Sequence, residues 1–205
     1  MKIGPKYKIC RRLGDRVFSK CQTTKFTVSG TMPKSNGKRR RGKVSEYGQQ
    51  LIEKQKIRYT YGVSEKQFSN YVTKSRTKKN EAGPAGSLYL SLESRLDNAV
   101  FRTGMVPSRA FARQLVSHGH ILVNGKKVTI PSYQVKTGEV ITIREGSKSS
   151  KIFQELDEKL KDHASPTWIV FDPKKLEAKI LGAPVYKEGE TGLAFRTVLE
   201  FYSRV

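Results

Sequence analysis

Residues 94–144, SRLDNAVFRTGMVPSRAFARQLVSHGHILVNGKKVTIPSYQVKTGEVITIR, decide the fold. Up to Gly104, and with SLYLSLE before it, the run predicts one long amphipathic helix, preceded by a turn in GPAGS (83–87). Pro107 and Ser108 open a second helix, Ser108 as its side-chain cap, and Gly119 closes it. At about 100° per residue, Phe111, Ala112, Leu115 and Val116 fall on one side, and Arg109, Arg113, Gln114 and Ser117 on the other. That helix therefore docks by its apolar face and turns guanidinium groups outward. HILV, Asn124 with Gly125, and KKVTI read as strand, turn and strand, because Asn-Gly tolerates the positive φ that both turn positions need. QVKTGEVITIRE predicts a further strand pair bent at Thr137 and Gly138. Arg109 and Arg113, one turn apart beside Asn124, Gly125 and Lys126, put fork-shaped donors and backbone amides on one surface, which suits a phosphodiester backbone. Arg95 and Arg102 on the preceding helix either extend this patch or, for Arg95, form an ion pair with Asp97.

On the N-terminal side, Ser45 begins a helical pattern, SEYGQQLIEKQKIRYTYG, with Tyr47 and Leu51 one turn apart and Gly62 as the stop. Ser64 and Gln67 make a capping box, after which Phe68, Tyr71 and Val72 form an apolar stripe. Tyr59 and Tyr61 sit among Lys54, Lys56 and Arg58, where a ring either packs in the core or lies on a ribose or base. On the C-terminal side, FQELDEKLKD predicts a short charged helix, TWIVF an apolar segment, Asp172 and Pro173 a turn, LEAKIL a strand, and GAPVYKEGETG a loop. The last segment, LAFRTVLEFY, is apolar and must bury a face. As a helix it offers Leu193, Val198, Leu199 and Tyr202 for docking onto the N-terminal helices, and a final strand is the other reading.

Charge says what the partner is. The 205 residues carry 40 Lys+Arg against 18 Asp+Glu, a formal net charge of +22. Residues 1–90 hold +17 of it, 91–150 hold +5, and 151–205 are neutral. Self-repulsion on that scale points to a polyanion, so nucleic acid is the expected partner. Residues 1–44 lack periodicity, are broken by glycines and prolines, and contain Lys38, Arg39, Arg40, Arg41 and Lys43, so they predict a basic extension that orders against that polyanion. No apolar run approaches the roughly 18 residues of a membrane span, and the opening residues have no apolar block after their charges, so neither a membrane nor a secreted protein is expected. Two cysteines, Cys10 and Cys21, are too few for a disulfide framework and fit a reducing cytoplasm. They lack the paired spacing of a zinc site, and His118, His120 and His163 lie far from them in sequence, so no metal and no cofactor is expected. No P-loop, G-x-S-x-G or H-E-x-x-H motif occurs, and Asp97 reads as an arginine anchor, not as a catalytic acid.

LESRLDNAVFRTGMVPSRAFARQLVSHGHILVNGKKVTIPSYQVKTGEVITIRE resembles the S4 RNA-binding module. With SEYGQQLIEKQKIRYTYGVSEKQFSNYV before it and PTWIVFD and LEFYSR after it, the chain is similar to the bacterial-type small-subunit ribosomal protein S4 family from about Tyr47 onward. The resemblance implies an α+β fold: a basic irregular N-terminal extension (1–44), a helical domain (45–92, completed by 186–205), and an S4 module with C-terminal strands (93–185). The module would be a two-helix motif on a small, mainly antiparallel sheet. It implies a cytoplasmic protein of the small subunit, in a bacterium or an organelle, that binds 16S rRNA directly and nucleates assembly of the 5′ domain. With ribosomal protein S5, reached through the C-terminal segment, it would contribute to translational accuracy. RNA contact would fall on Tyr47, Gln50, Lys54, Lys56, Arg58, Tyr59 and Tyr61, and on Arg109, Arg113, Gln114, Ser117, His118, Asn124, Gly125, Lys126 and Ser132. Arg40, Arg41 and Lys43 would lie where mRNA enters. The chain departs from the family in having PKSNGKRRRG where a Pro-Gly-Gln-His-Gly-like turn is usual. Of the four N-terminal cysteines that hold a metal cluster in some members, only Cys10 has a clear counterpart. An RNA-modifying enzyme that uses the module for targeting is the alternative, disfavoured because only about 60 residues follow Arg144. A free RNA-binding stress factor would need little beyond the module.

Overall fold

The computed structural model describes residues 3–23, 26, 45–77, 82–148 and 165–204. Arg40, Arg41 and Lys43, and the expected charged helix at 153–162, lie outside these residues. The chain divides into two compact units, one formed by Met1–Ala85 with Lys187–Val205, the other by Gly86–Tyr186.

The first unit is helical. Helix α1 (Lys6–Leu13) ends at Gly14, whose φ of 67° lets its amide reach back to the Cys10 carbonyl. A 3-10 turn follows at Ser19–Cys21. The irregular extension expected from residue 1 is thus corrected over its first part. Cys10, Phe18, Cys21 and Phe26 form a buried cluster with Ile9 and Tyr59 packed on it, which is apolar surface enough to order a short basic helix without a polyanion. Helix α2 (Glu46–Thr60) starts at Ser45, whose hydroxyl accepts from the Gly48 amide at 3.2 Å. It stops before Gly62 at φ 63°. Helix α3 (Glu65–Thr77) starts at Ser64, whose hydroxyl accepts from Gln67 N at 3.3 Å, half of the expected capping box.

In the second unit the single long helix expected through Gly104 is two. Helix α4 (Gly83–Glu93) takes in the GPAGS segment expected to be a turn, with Pro84 in its first turn, where a missing amide costs nothing. Helix α5 (Leu96–Arg102) begins after Arg95, whose ψ of 138° is extended. The break is made at long range. Residues 94–97 give their backbone to 131–135: Leu96 N donates to Tyr133 O and Val135 N to Ser94 O, each at 2.8 Å, Asp97 N donates to Pro131 O at 3.2 Å, and Arg95 bridges Gln134. That pairing also removes the strand expected before Gly138.

Helix α6 (Arg109–Ser117) then leads into the sheet: β1 (Ile121–Val123), β2 (Lys126–Lys127) and β3 (Val140–Ile143) are followed by the one-turn helix α7 (Glu145–Lys148), β4 (Ile169–Asp172) and β5 (Glu177–Ile180). The five strands are antiparallel in the order β2-β1-β3-β5-β4, with Ile121 opposite Ile143 and Ile141 opposite Ala178. Period-two alternation sends Ile121, Val123, Ile141, Ile143, Ala178 and Ile180 to one face, where they meet Leu96, Ala99, Val100, Ala112, Leu115 and Val116 of α5 and α6. The fold is α+β, as expected.

The C-terminal segment is a helix, α8 (Phe195–Ser203), packed against α2 in the first unit. Its buried side chains are Phe195, Val198 and Phe201, so the expected stripe is turned: Leu199 and Tyr202 are half-buried at its margin.

Candidate nucleic-acid interface

Helix α6 carries the most defined surface. Ser108 Oγ accepts from Phe111 N at 3.3 Å and fixes the first turn, and Gly119 releases the chain at φ 74°. Ala112, Leu115 and Val116 are buried, Phe111 half-buried, and Gln114 and Ser117 exposed, as the projection required; His118 is exposed as well. The two arginines are aimed by neighbours. Arg109 Nε donates to Asn98 Oδ1 at 2.7 Å, and its guanidinium stands 4.4 Å from the centroid of the Phe101 ring. Arg113 lies 3.7 Å from the Asp97 carboxylate with 42% of its side chain exposed.

Asp97 itself is held from below by Arg95, through Nε at 3.0 Å and a second nitrogen at 2.6 Å, a two-point pair closed off from water. Arg95 is completely buried, which decides between its two sequence readings: it is the ion partner of Asp97 and not part of the surface. Arg102 is turned toward the fully buried Glu93, which it meets at 2.7 and 2.9 Å. Asn98 also donates to Glu93, at 2.8 Å, so buried carboxylates and an amide set the attitude of the outward guanidinium groups.

The β1–β2 hairpin lies in the same unit. Asn124 and Gly125 have φ of 49° and 75°, the conformation Asn-Gly predicted. Asn124 Oδ1 accepts from Val140 N at 2.9 Å, locking the turn against β3 and leaving Gly125 and Lys126 exposed. The stem of Lys127 lies across Gly119, where any side chain would collide with it. The His118 and His120 rings stack at 6.2 Å, and His120 Nδ1 is held by Ser147 Oγ at 2.8 Å. Ser132 is half-buried in the 131–135 segment that breaks the helices.

In the first unit the sequence-derived set divides. Tyr47 is 54% exposed, and Lys56, Arg58 and Tyr59 are partly so. Gln50, Lys54 and Tyr61 are buried. Lys54 Nζ meets Glu65 Oε1 at 2.7 Å and lies 4.7 Å from the centroid of the Phe201 ring. Arg58 reaches the other Glu65 oxygen at 3.2 Å, and Tyr202 donates its hydroxyl to Glu65 at 2.8 Å.

Glu65 is the residue sequence reasoning missed. An acid in the first turn of α3 reads as a dipole partner, yet it ties α2, α3 and α8 together. Burial pushes its carboxyl up, but hydrogen bonds from Lys54 and Tyr202 and the charges of Lys54 and Arg58 outweigh that and hold it below the usual carboxylate range. Burial, then the bond to Glu65, pushes the Tyr202 hydroxyl well above its ordinary value. Near α1, burial and then the neighbouring Cys10 raise the Cys21 thiol to about 11, despite Lys6 and Lys20. Among the described residues, no three His, Cys, Asp or Glu side chains cluster as a metal site.

A basic-faced helix and a locked Asn-Gly hairpin on a small antiparallel sheet define the S4-domain class of nucleic-acid-binding proteins. Residues 94–141 match the S4 domain family, and residues 1–89 match the Ribosomal protein S4/S9 N-terminal domain family. Proteins named small ribosomal subunit protein uS4 from Halothermothrix orenii and Roseiflexus castenholzii are each 42% identical to this chain, and one from Chromobacterium violaceum is 43% identical. Each alignment covers 98% of both chains. The chain belongs to the small ribosomal subunit protein uS4 family.

Proposed function

We propose that this chain is a non-catalytic structural component of the small ribosomal subunit, located with it in the cytoplasm, that binds 16S rRNA directly and nucleates assembly of the 5′ domain. The observation that carries the reading is the outward face of α6, with Arg109 and Arg113 aimed by buried partners beside the locked Asn124–Gly125 turn. Nine positions form that surface: Arg109, Arg113, Gln114, Ser117, His118, Asn124, Gly125, Lys126 and Ser132. Tyr47, Lys56, Arg58 and Tyr59 supply a second surface on the helical unit. Gln50, Lys54 and Tyr61 act there by holding α2 in place, since a buried side chain cannot touch RNA. Arg40, Arg41 and Lys43 serve mRNA where it enters, and the C-terminal segment meets ribosomal protein S5 and so influences translational accuracy. The family supports this reading, because its relatives are named as subunit components.

The test is titration of the full chain with a 5′-domain 16S rRNA fragment at several salt concentrations, with cosedimentation on small subunits in parallel. Each neutralised phosphate should contribute a slope of about 0.7–0.9 in log K against log salt. A slope near zero, or absence from sedimented subunits, overturns the proposal.

A further inference from the structure

Helix α1 carries charge that its surroundings do not cancel. At about 100° per residue, Tyr7, Arg11, Lys8 and Arg12 fall in that order within an arc of about 140°. All four are exposed, while Cys10 and Leu13 are buried on the other side. Lys6, Arg16 and Lys20 are exposed as well. Against these six cations residues 3–23 hold one carboxylate, Asp15, whose Oδ1 accepts from the Arg16 amide at 2.6 Å and which forms no ion pair among the described residues. Rings pose the side chains instead. The Lys6 ammonium stands 5.8 Å from the Phe18 centroid, that of Lys20 5.5 Å from Tyr7, and the Arg11 guanidinium 5.7 Å from Phe26, against which Tyr7 packs at 5.2 Å. A ring face holds a cation in place but, unlike a carboxylate, leaves its charge whole.

We propose that the outward face of α1 holds the sugar–phosphate backbone of the bound RNA, with Lys8, Arg11 and Arg12 each meeting a phosphate and the exposed Tyr7 ring lying against a ribose. The inference rests on the RNA-binding reading above and adds to it a surface separate from those of α2 and α6. The occupant is backbone and not base edges, because Lys and Arg are donors without an acceptor, and such a face positions a strand without reading it. Three like charges within about one helical turn repel one another, and a polymer with a charge at every residue relieves that repulsion. Cys10, Phe18, Cys21 and Phe26 already order the helix, so the surface is preformed and contact requires no folding step.

The probe is the 5′-domain 16S rRNA fragment, bound to the full chain and to two triple variants, with salt titration, hydroxyl-radical footprinting of the RNA backbone and thermal melting. Lys8→Gln, Arg11→Gln and Arg12→Gln together remove three outward charges and leave the buried side of α1 intact, so the melting temperature should hold or rise. The salt slope should fall by about 2–3, at about 0.7–0.9 for each lost phosphate, and affinity by about tenfold or more. One contiguous stretch of protected riboses should open. Lys174→Gln, Lys175→Gln and Lys179→Gln are the control: these lysines are exposed on the second unit, outside the RNA surfaces assigned above, and their loss changes the net charge equally. That variant should keep the wild-type slope and footprint. An α1 variant that behaves as wild type, or equal losses in the two variants, overturns the inference. So does a loss of affinity with the salt slope unchanged, since no phosphate contact is then missing. Wild-type protein that fails to bind the fragment refutes the functional reading itself, and the inference with it.

Discussion

Replacing Arg113 by alanine separates binding from folding on a single helix face. The side chain is 42% exposed and stands 3.7 Å from Asp97, so its pair is a surface one. Asp97 keeps its two-point contact with Arg95 when Arg113 is gone, and no buried charge is stranded. Such pairs are worth about 0–1 kcal/mol, and a chain of this size shifts by about 2–4 °C per kcal/mol, so the melting temperature should move by a few degrees at most. The loss in RNA binding should be larger. A hydrogen bond to a charged group is worth about 1.5–3 kcal/mol, about a 10- to 150-fold loss in affinity. One phosphate contact fewer also lowers the salt slope by about 0.7–0.9. The control is Arg95→Ala, which breaks the buried two-point pair and leaves Asp97 only the half-exposed Arg113 at 3.7 Å; breaking a buried pair costs about 3–5 kcal/mol and should lower the melting temperature by at least about 6 °C. Differential scanning calorimetry and filter binding at three salt concentrations measure all of this. Equal loss of melting temperature in the two variants, or an unchanged salt slope for Arg113→Ala, would refute the reasoning.

Three further outcomes are expected. Glu65 is held below its ordinary carboxylate range, so the stability it contributes is present above its unfolded value, about pH 4.3, and is lost as pH falls through the depressed folded value; Glu65→Gln should flatten that part of the urea midpoint against pH. Phe195→Ala, at a completely buried position of α8, should cost about 3–5 kcal/mol in chemical denaturation, whereas Phe111→Ala should cost less, since that ring is only half-buried. Cys21, raised to about 11 and buried, should resist alkylation by iodoacetamide at about pH 8 until the chain unfolds, as mass spectrometry would follow.

What could be read in advance depended on the range of the interaction that made it. The helix start at Ser45, the caps at Ser64 and Ser108, the stop at Gly62 and the Asn124–Gly125 turn are local chemistry, and each stands where the residues required it. The faces of α6 followed from periodicity alone. The break between α4 and α5 did not, because neither Gly nor Pro marks Ser94 and Arg95; their backbone is claimed by residues some 40 positions later. Helix α1 was hidden by its charge, its apolar side being completed by Phe18, Cys21 and Phe26 beyond the helix. The turned stripe on α8 has the same cause, since its neighbours on α2 and α3, including Glu65, selected the buried side. Residue type likewise marked Lys54 as a surface cation, but its neighbours made it an internal strut.

One of the two edge strands of the sheet, β2, is two residues long, and both are exposed lysines. A bare strand edge is a template on which another chain can continue the ladder, and short length and lysine both discourage that. On the proposed reading these lysines belong to the basic surface that meets RNA, so the same like charge keeps free copies apart before assembly and serves adhesion after it.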